Sequence, residues 1–210
     1  MLKNQTINTK TFFETSKKNI HLTNDRKKLI QSIANSIVQH LKNEKKVILN
    51  FICTHNSRRS QFAQVWSFYA THYFELKNIK SVSGGTEVTA FNRNTVKSLQ
   101  KTGFEFNVVD FSHQNPRYLI SFPGTTKSTL GYSKLYETET NKEPFIAITT
   151  CDNADKNCPL IPEAISRFHL PFSDPKKHDG SALQHEKYLK TSQQIAGEIF
   201  LIFKEVKSQL

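Results

Sequence analysis

The stretch between residues 47 and 60 limits the fold of this chain more than any other part of the sequence. An apolar run at residues 47–52 is followed directly by a short polar turn, and an amphipathic stretch begins near Gln61. This order predicts a strand, a turn and a helix. Backbone N–H groups that open a helix point toward one place, where the helix dipole favours negative charge, so the turn is predicted to bind an anion. The turn consists of Cys53, Thr54, His55, Asn56, Ser57, Arg58, Arg59 and Ser60.

Two side chains of this turn carry the chemistry that we expect there. Cys53 stands first, and a thiol in the field of a helix N-terminus loses its proton more readily than a free thiol. Arg59 can return over the turn, where its planar guanidinium binds a tetrahedral oxyanion through two parallel hydrogen bonds. The turn therefore offers both a nucleophile and an anion clamp.

Strand and helix patterns alternate along the chain. This alternation predicts an α/β fold with a parallel sheet that is covered on both faces, and with ligands at the carboxyl ends of its strands. Cys53 and Cys151 both fall at such ends. Helices are predicted to begin at Asn24, Gln61, Asn92 and Ser181, and strands are predicted at residues 47–52, 81–87, 143–150 and 166–170.

Two segments lie outside this alternation. Residues 1–22 are polar and Lys-rich apart from a Phe12-Phe13 pair, and they are predicted to form a loosely attached arm. Residues 113–143 contain two short extended pieces around Pro123-Gly124, which predict an inserted hairpin. We therefore expect one domain at residues 46–210, preceded by an arm and an amphipathic helix at residues 1–45.

A second pair of thiols follows the predicted strand at residues 143–150. Cys151 and Cys158 are separated by a polar segment that predicts a loop. Taken alone, the pair is compatible with a metal fragment, a redox pair or two unrelated thiols. No His or Cys cluster completes a four-ligand zinc site, so ligand counting argues against a metal.

Composition narrows the function classes. The 210 residues carry a net charge of +11, which suggests that the protein could bind nucleic acid. The basic residues are scattered, however, and no zinc-finger or basic-zipper spacing is present, which argues against that function. A basic surface that attracts anionic substrates needs fewer assumptions. No apolar run approaches the roughly 20 residues of a membrane span, and three cysteines cannot all pair with one another. We expect a cytoplasmic protein that binds neither nucleic acid nor a membrane.

Residues 53–60 resemble the Cys-x-x-x-x-x-Arg-Ser loop of the low-molecular-weight tyrosine phosphatase superfamily, and in particular of its thioredoxin-coupled arsenate reductase branch. Residues 81–87 are similar to the Ser-Ala-Gly-Thr-Glu strand of the same superfamily, and residues 151–159 resemble the resolving-cysteine loop of the reductases. The resemblance covers roughly residues 46–205. It implies a three-layer fold with a central four-stranded parallel sheet, to which this chain adds an N-terminal helix and a hairpin.

The resemblance also implies roles for individual residues. Cys53 would attack arsenate, Cys151 would release arsenite by forming a disulfide with Cys53, and Cys158 would resolve that disulfide. Thioredoxin would then reduce the Cys151–Cys158 disulfide, and no cofactor is implied. Asp174 matches the general acid of the family, which protonates the departing oxygen. By position, Ser60 would donate a hydrogen bond to the Cys53 sulfur and Asn56 would hold the loop backbone.

The chain departs from the family pattern at four places. His55 replaces a Gly, which predicts a left-handed backbone that His tolerates better than most residues. Arg58 adds a second positive charge beside the thiol, or is a surface side chain. Gln64 stands where potassium-binding reductases have a Glu ligand, so a potassium site is not expected. Lys176-Lys177 replaces the aromatic residue that shapes a phosphotyrosine slot.

Two other functions remain open at this stage. A phosphatase of the same superfamily needs only the anion loop, Cys53, Arg59 and Asp174, because phosphoryl transfer can proceed through a thiophosphate intermediate. A non-catalytic anion-binding or partner-binding module would need none of the cysteines. The reductant, the physiological oxyanion, arsenate or phosphate, and the oligomeric state also remain open.

Overall fold

The computed structural model describes residues 7–44, 46–138, 140, 143–157 and 161–210. Its helices are α1 (Thr9–Ser16), α2 (Asn24–Glu44), α3 (Arg59–Tyr73), α4 (Arg93–Lys101), α5 (Asp152–Asn157) and α6 (Gln184–Gln209), with a short 3-10 turn at Pro175–His178. Its strands are β1 (Val47–Cys53), β2 (Ile79–Gly85), β3 (Glu105–Asp110), β4 (Arg117–Ser121), β5 (Thr129–Gly131), β6 (Phe145–Thr149) and β7 (Ala164–His169).

The centre of the fold is a parallel sheet of four strands in the order β2-β1-β6-β7. Strands β1 and β6 are buried along their whole length, which explains why both read as continuous apolar runs. The helices α2 and α3 pack against one face of the sheet, α6 packs on both of them and α1 packs on α6, while a smaller cluster on the other face includes Ala154 of α5. The predicted α/β class and four-stranded parallel sheet are confirmed.

The N-terminal segment packs tightly, so the prediction of a loosely attached arm is wrong for residues 7–22. In α1, the Phe12 ring stacks on Trp66 at 5.3 Å between centroids, and the Phe13 ring at 5.7 Å. Both Phe side chains are buried, because together they present enough apolar area to cover the α3 and α6 side of the core. Residues 1–6 lie outside the described residues. The division of the chain at residue 45 remains a prediction.

The inserted segment belongs to a second sheet. Strands β4 and β5 pair antiparallel as the predicted hairpin, but β3 joins them to make the order β3-β4-β5. Strand β3 was not predicted, because most of its residues are exposed and it lacks the alternation that marks a half-buried strand.

The segment between Cys151 and Cys158 also differs from the prediction. It contains the short helix α5 rather than a loop. Six mostly polar residues give no measurable helical periodicity, so this helix depends on tertiary contacts. Within the described part of the chain, no helix is long and apolar enough to cross a membrane.

Candidate active site

Residues 53–60, the turn predicted to bind an anion and called the anion loop here, connect β1 to α3. Cys53 is the last residue of β1 and Arg59 the first residue of α3. The backbone is left-handed at Asn56, with a φ of 43°, and the described residues with positive φ do not include His55. The left-handed backbone that was predicted at His55 occurs at Asn56, so the prediction is wrong by one position. Asn is among the residues that adopt this conformation at the lowest cost, since its short polar side chain can bond locally.

The Cys53 sulfur contacts the hydroxyl of Ser60 at 3.0 Å, and both residues are buried. The Ser60 oxygen also accepts a hydrogen bond from Asn56 Nδ2 at 2.9 Å. Because that bond occupies a lone pair of the hydroxyl, its single hydrogen is free to point at the sulfur. The Ser60 hydroxyl can thus donate to the Cys53 sulfur, as its position in the sequence predicts.

Asn56 ties the loop to three other elements. Its Nδ2 also donates to Ser83 Oγ of β2 at 2.9 Å, and its Oδ1 accepts from Gln61 Nε2 of α3 and from the Lys134 backbone amide, both at 3.1 Å. Every polar atom of this buried side chain thus has a partner. Asn56, which is predicted to hold the loop backbone, lies at the centre of the hydrogen bonds around the loop.

The inserted segment also holds the loop, which the sequence analysis did not anticipate. Ser133 Oγ donates to the His55 carbonyl at 2.8 Å, and Gln61 Nε2 donates to the Tyr132 carbonyl at 2.8 Å. Gln64 lies next to this region, and its Nε2 donates to Thr129 Oγ1 and to the Leu130 carbonyl while its Oε1 accepts from Ser83. Gln64 therefore cross-links β2 and β5.

Arg59 faces the segment that carries Asp174. Its Nη2 donates to Asp174 Oδ2 at 2.8 Å and its Nη1 to the Phe172 carbonyl at 3.2 Å. Arg59 Nε is buried and has no partner among the described residues. Asp174 in turn accepts from the Lys176 backbone amide at 3.0 Å. The predicted clamp and the predicted acid are thus in direct contact.

Arg58 is not a surface side chain, since only 12% of it is exposed. Its Nε donates to the Tyr188 hydroxyl at 3.0 Å, and its Nη atoms lie 4.0 Å from Asp174 and 3.9 Å from Asp179. Burial raises the pKa of Tyr188 to about 12, and hydrogen bonding to Asp179 also raises it. Tyr188 and Asp179 were missed as site residues because nothing near them in the sequence indicates a contact with the loop.

Cys151 lies beside the loop because the ends of β1, β6 and β7 are tied together by the backbone. The Thr150 amide donates to the Ile52 carbonyl at 2.7 Å, and the Phe172 amide donates to the Thr150 carbonyl at 3.2 Å. These bonds bring Cys53, Cys151 and Asp174 to one edge of the sheet.

The Cys151 sulfur itself is buried. It accepts from the Ala154 amide of α5 at 3.4 Å, and the Thr54 hydroxyl lies 3.5 Å away. Cys53 and Cys151 belong to the same apolar cluster. Cys158 lies outside the described residues.

Ionic contacts hold α5 against β6 and β7. Asp155 accepts from Arg167 Nη2 at 2.7 Å and from the Thr149 hydroxyl at 2.9 Å, and His169 Nε2 contacts Asp152 at 3.1 Å. These side chains are partly or largely exposed, so each contact adds little stability.

A cleft of about 510 Å³ opens next to the loop. Its wall contains Phe91 and Tyr118, and its basic side chains include Arg58, Arg93 and Lys176. Among the described residues no Asp or Glu lines the cleft, and its charged side chains make the approach to the loop positive. Such a field favours anionic substrates.

Solved structures of the same fold define the class. A low-molecular-weight phosphotyrosine phosphatase from Vibrio cholerae superposes with a TM-score of 0.53 over 78% of this chain and 98% of its own, at 14% identity. A low-molecular-weight protein tyrosine phosphatase from T. tengcongensis gives a TM-score of 0.51 over 79% of this chain and 100% of its own, at 16% identity. Together with the Cys53 loop, this likeness defines a fold of the low-molecular-weight tyrosine phosphatase type.

Proteins that are similar in sequence identify a narrower family than the fold does. Arsenate reductase 1 of Staphylococcus epidermidis is 30% identical over 141 residues, which cover 67% of this chain and 86% of that protein. The arsenate reductase of Bacillus licheniformis is 27% identical over 160 residues, which cover 76% of this chain and 96% of that protein. No family model matches the chain. The protein belongs to the arsenate reductase family and is an enzyme.

Proposed function

We propose that this enzyme reduces arsenate to arsenite through Cys53, Cys151 and Cys158, and that thioredoxin recycles it. One observation carries the proposal: a second thiol, Cys151, is buried in the same cluster as Cys53, with Thr54 next to its sulfur. A hydrolase needs only the first thiol, whereas reduction needs two. The relatives named arsenate reductase support the substrate. We place the enzyme in the cytoplasm, where thiols stay reduced.

The oxyanion would bind between the loop amides and Arg59. An unpaired buried guanidinium N–H costs free energy, and an oxyanion oxygen at Arg59 Nε would recover it. The amides that open α3 would hold the remaining oxygens, as at other helix N-termini that bind phosphate. Cys53, at the start of the loop, then faces the central atom.

The first step forms a bond between sulfur and arsenic. The Cys53 thiolate attacks arsenate, and one arsenic–oxygen bond breaks as that oxygen leaves as water. Asp174 supplies a proton to it, since an oxygen that leaves unprotonated is a poor leaving group. The Ser60 hydroxyl stabilises the thiolate before the attack.

The second step reduces arsenic. The Cys151 thiolate attacks the Cys53 sulfur, the sulfur–sulfur bond forms and the sulfur–arsenic bond breaks. The electron pair of the broken bond stays on arsenic, so arsenic(V) becomes arsenic(III) and leaves as arsenite. Two thiols are thereby oxidised to the Cys53–Cys151 disulfide, which balances the two electrons gained by arsenic.

Cys158 would then attack the Cys151 sulfur and free the Cys53 thiolate. The helix α5 lies between the two cysteines, and its five steps of about 1.5 Å from Asp152 to Asn157 span about 7.5 Å, whereas the Cα atoms of a disulfide lie about 4.4–6.8 Å apart. We infer that α5 unwinds in this step. Its weak ionic anchors suit such a change, and an unwound segment would present the Cys151–Cys158 disulfide to thioredoxin.

A single turnover tests this proposal. Fully reduced full-length protein is mixed with excess arsenate without thioredoxin; free thiols are then counted, and disulfides are mapped by mass spectrometry. Loss of two thiols, a Cys151–Cys158 disulfide and released arsenite are expected. The Cys158→Ser variant should stop at the Cys53–Cys151 disulfide. Retention of three thiols would contradict the relay.

A phosphatase is the second candidate, because Arg59 and Asp174, which together with Cys53 are all that phosphoryl transfer would use, are in contact. The two functions differ in their need for the second thiol. Hydrolysis of an aryl phosphate that depends on Cys53 but survives Cys151→Ser, together with no arsenite release by the unmodified protein, would favour the phosphatase.

A further inference from the structure

Asp174 is contacted by two arginines, and only one of them belongs to the proposed anion clamp. Arg59 Nη2 lies 2.8 Å from Asp174 Oδ2, and Arg58 Nη1 lies 4.0 Å from Asp174 Oδ1. A bound oxyanion would compete with Asp174 for the donors of Arg59, since both are negatively charged acceptors. When Arg59 turns toward the oxyanion, Asp174 loses its shortest ion pair.

Arg58 is held in place from the other side of the site. The Tyr188 hydroxyl accepts from Arg58 Nε at 3.0 Å and donates to Asp179 Oδ1 at 2.8 Å. A hydroxyl has one hydrogen, so these two bonds fix its direction: it points at the carboxylate and offers a lone pair to the guanidinium. Tyr188 is 1% exposed, and α6 holds it rigidly.

We propose that Arg58 is a positioning residue, which Tyr188 and Asp179 hold in place so that Asp174 stays over the loop while Arg59 binds the oxyanion. This inference rests on the proposed function, because it needs Asp174 to act as the acid. The Lys176 amide, which bonds Asp174 Oδ1 at 3.0 Å, is the other contact that would persist. Arg58 therefore keeps the carboxyl beside the departing oxygen.

A purely structural role for Arg58 would give a different result. Loss of a structural contact lowers the free energy of unfolding, and the rate of the folded protein stays the same. Loss of a contact that positions Asp174 lowers the rate of arsenite release while phosphate affinity is kept, and a Lys at position 58 recovers part of that rate.

The test compares Arg58→Gln, Arg58→Lys and Tyr188→Phe in reduced full-length protein. The rate of arsenite release is measured at saturating arsenate, and inorganic phosphate is titrated to measure anion binding. We expect the rate to fall about ten-fold or more in Arg58→Gln and about three- to ten-fold in Tyr188→Phe, with phosphate affinity changed less than about three-fold. Arg58→Lys should recover part of the rate.

Tyr73→Phe is the matched control. Its hydroxyl is also hydrogen-bonded to a carboxylate, Glu14 at 2.7 Å, but α1 and α3 place it away from the loop. The control should keep the rate within about two-fold. Unfolding midpoints are measured for every variant, and if Arg58→Gln does not fold, Tyr188→Phe carries the test.

Two outcomes would overturn the inference. Rates of Arg58→Gln and Tyr188→Phe that equal the rate of the unmodified protein would show that Asp174 needs no such support. A loss of phosphate affinity in proportion to the rate would make Arg58 part of the clamp instead. If the unmodified protein releases no arsenite, the proposed function fails, and the same comparison with an aryl phosphate still decides the role of Arg58.

Discussion

The two cysteine segments of this enzyme are held in opposite ways. The loop after Cys53 is buried and bonded to β2, α3 and the inserted segment, largely through the single side chain of Asn56. The segment after Cys151 is the short helix α5, and partly exposed ion pairs anchor it. The difference fits the proposed function, in which the first segment holds an oxyanion in a fixed geometry and the second changes conformation during a thiol relay.

The largest expected effect separates the two thiols. Cys53→Ser should abolish arsenite release, by about a thousand-fold or more, because the nucleophile is lost. Cys151→Ser should block arsenite release equally but retain the bond between Cys53 and arsenic, since the first step does not use Cys151. Intact-protein mass spectrometry after mixing with arsenate distinguishes the variants. An arsenic adduct on Cys53→Ser would contradict the assignment.

Removing the hydrogen bonds that hold the anion loop should have the next largest effect. Asn56→Ala removes four hydrogen bonds of a buried side chain and places Ala in a left-handed backbone, so we expect a loss of about 2–4 kcal/mol in the free energy of unfolding. Urea unfolding measures it. The exposed Asn35→Ala on α2 is the control and should change the free energy by less than about 0.5 kcal/mol. Equal effects would mean that the loop is not held by Asn56.

Weakening the contacts that anchor α5 should have a smaller and local effect. Arg167→Gln removes the ion pair to Asp155, which is worth about 1 kcal/mol or less at this exposure. Amide hydrogen exchange in residues 152–157 should become a few-fold faster, while exchange in the anion loop stays unchanged. Lys46→Gln breaks the exposed ion pair to Glu143 and serves as the control. Faster exchange in both segments would mean that they are not independent.

The smallest expected effect is on the pH dependence of stability, and it concerns Tyr188, which contacts Arg58 of the anion loop. Burial raises the pKa of Tyr188, Tyr69 and Tyr73 to about 12. The unfolded chain loses these protons near pH 10, so the folded state loses stability as pH rises from about 10 through about 12. Tyr188→Phe should make this fall less steep. An unchanged slope in alkaline unfolding curves would show that the Tyr188 hydroxyl is not buried beside Arg58.

Much of the fold could be predicted because its signals are local. Strands β1 and β6 read as apolar runs, the polar turn follows β1 at once, and Asn92 caps α4 through two backbone amides. The elements that were missed have no such signal. Strand β3 is largely exposed, and α5 is too short for a periodic pattern.

The site shows the same division. The sequence alone pointed to Cys53, Arg59, Cys151 and Asp174, because each follows a strand end or matches a family motif; their catalytic roles remain predictions. It could not say where Arg58 points, and it assigned the left-handed residue to His55 instead of Asn56. The direction of the Arg58 side chain and the position of the left-handed residue both depend on contacts with other strands and helices.

By itself the sequence determined an α/β chain with a parallel sheet, a polar turn with Cys53 after the first buried strand and a second thiol after another buried strand. Only the tertiary structure decided that α1 covers the core, that the inserted segment holds the loop, and that Tyr188 and Asp179 hold Arg58. The physical reason is sequence distance. Arg58 and Tyr188 are 130 residues apart, and a hydrogen bond over that distance leaves no trace in the local pattern of either segment.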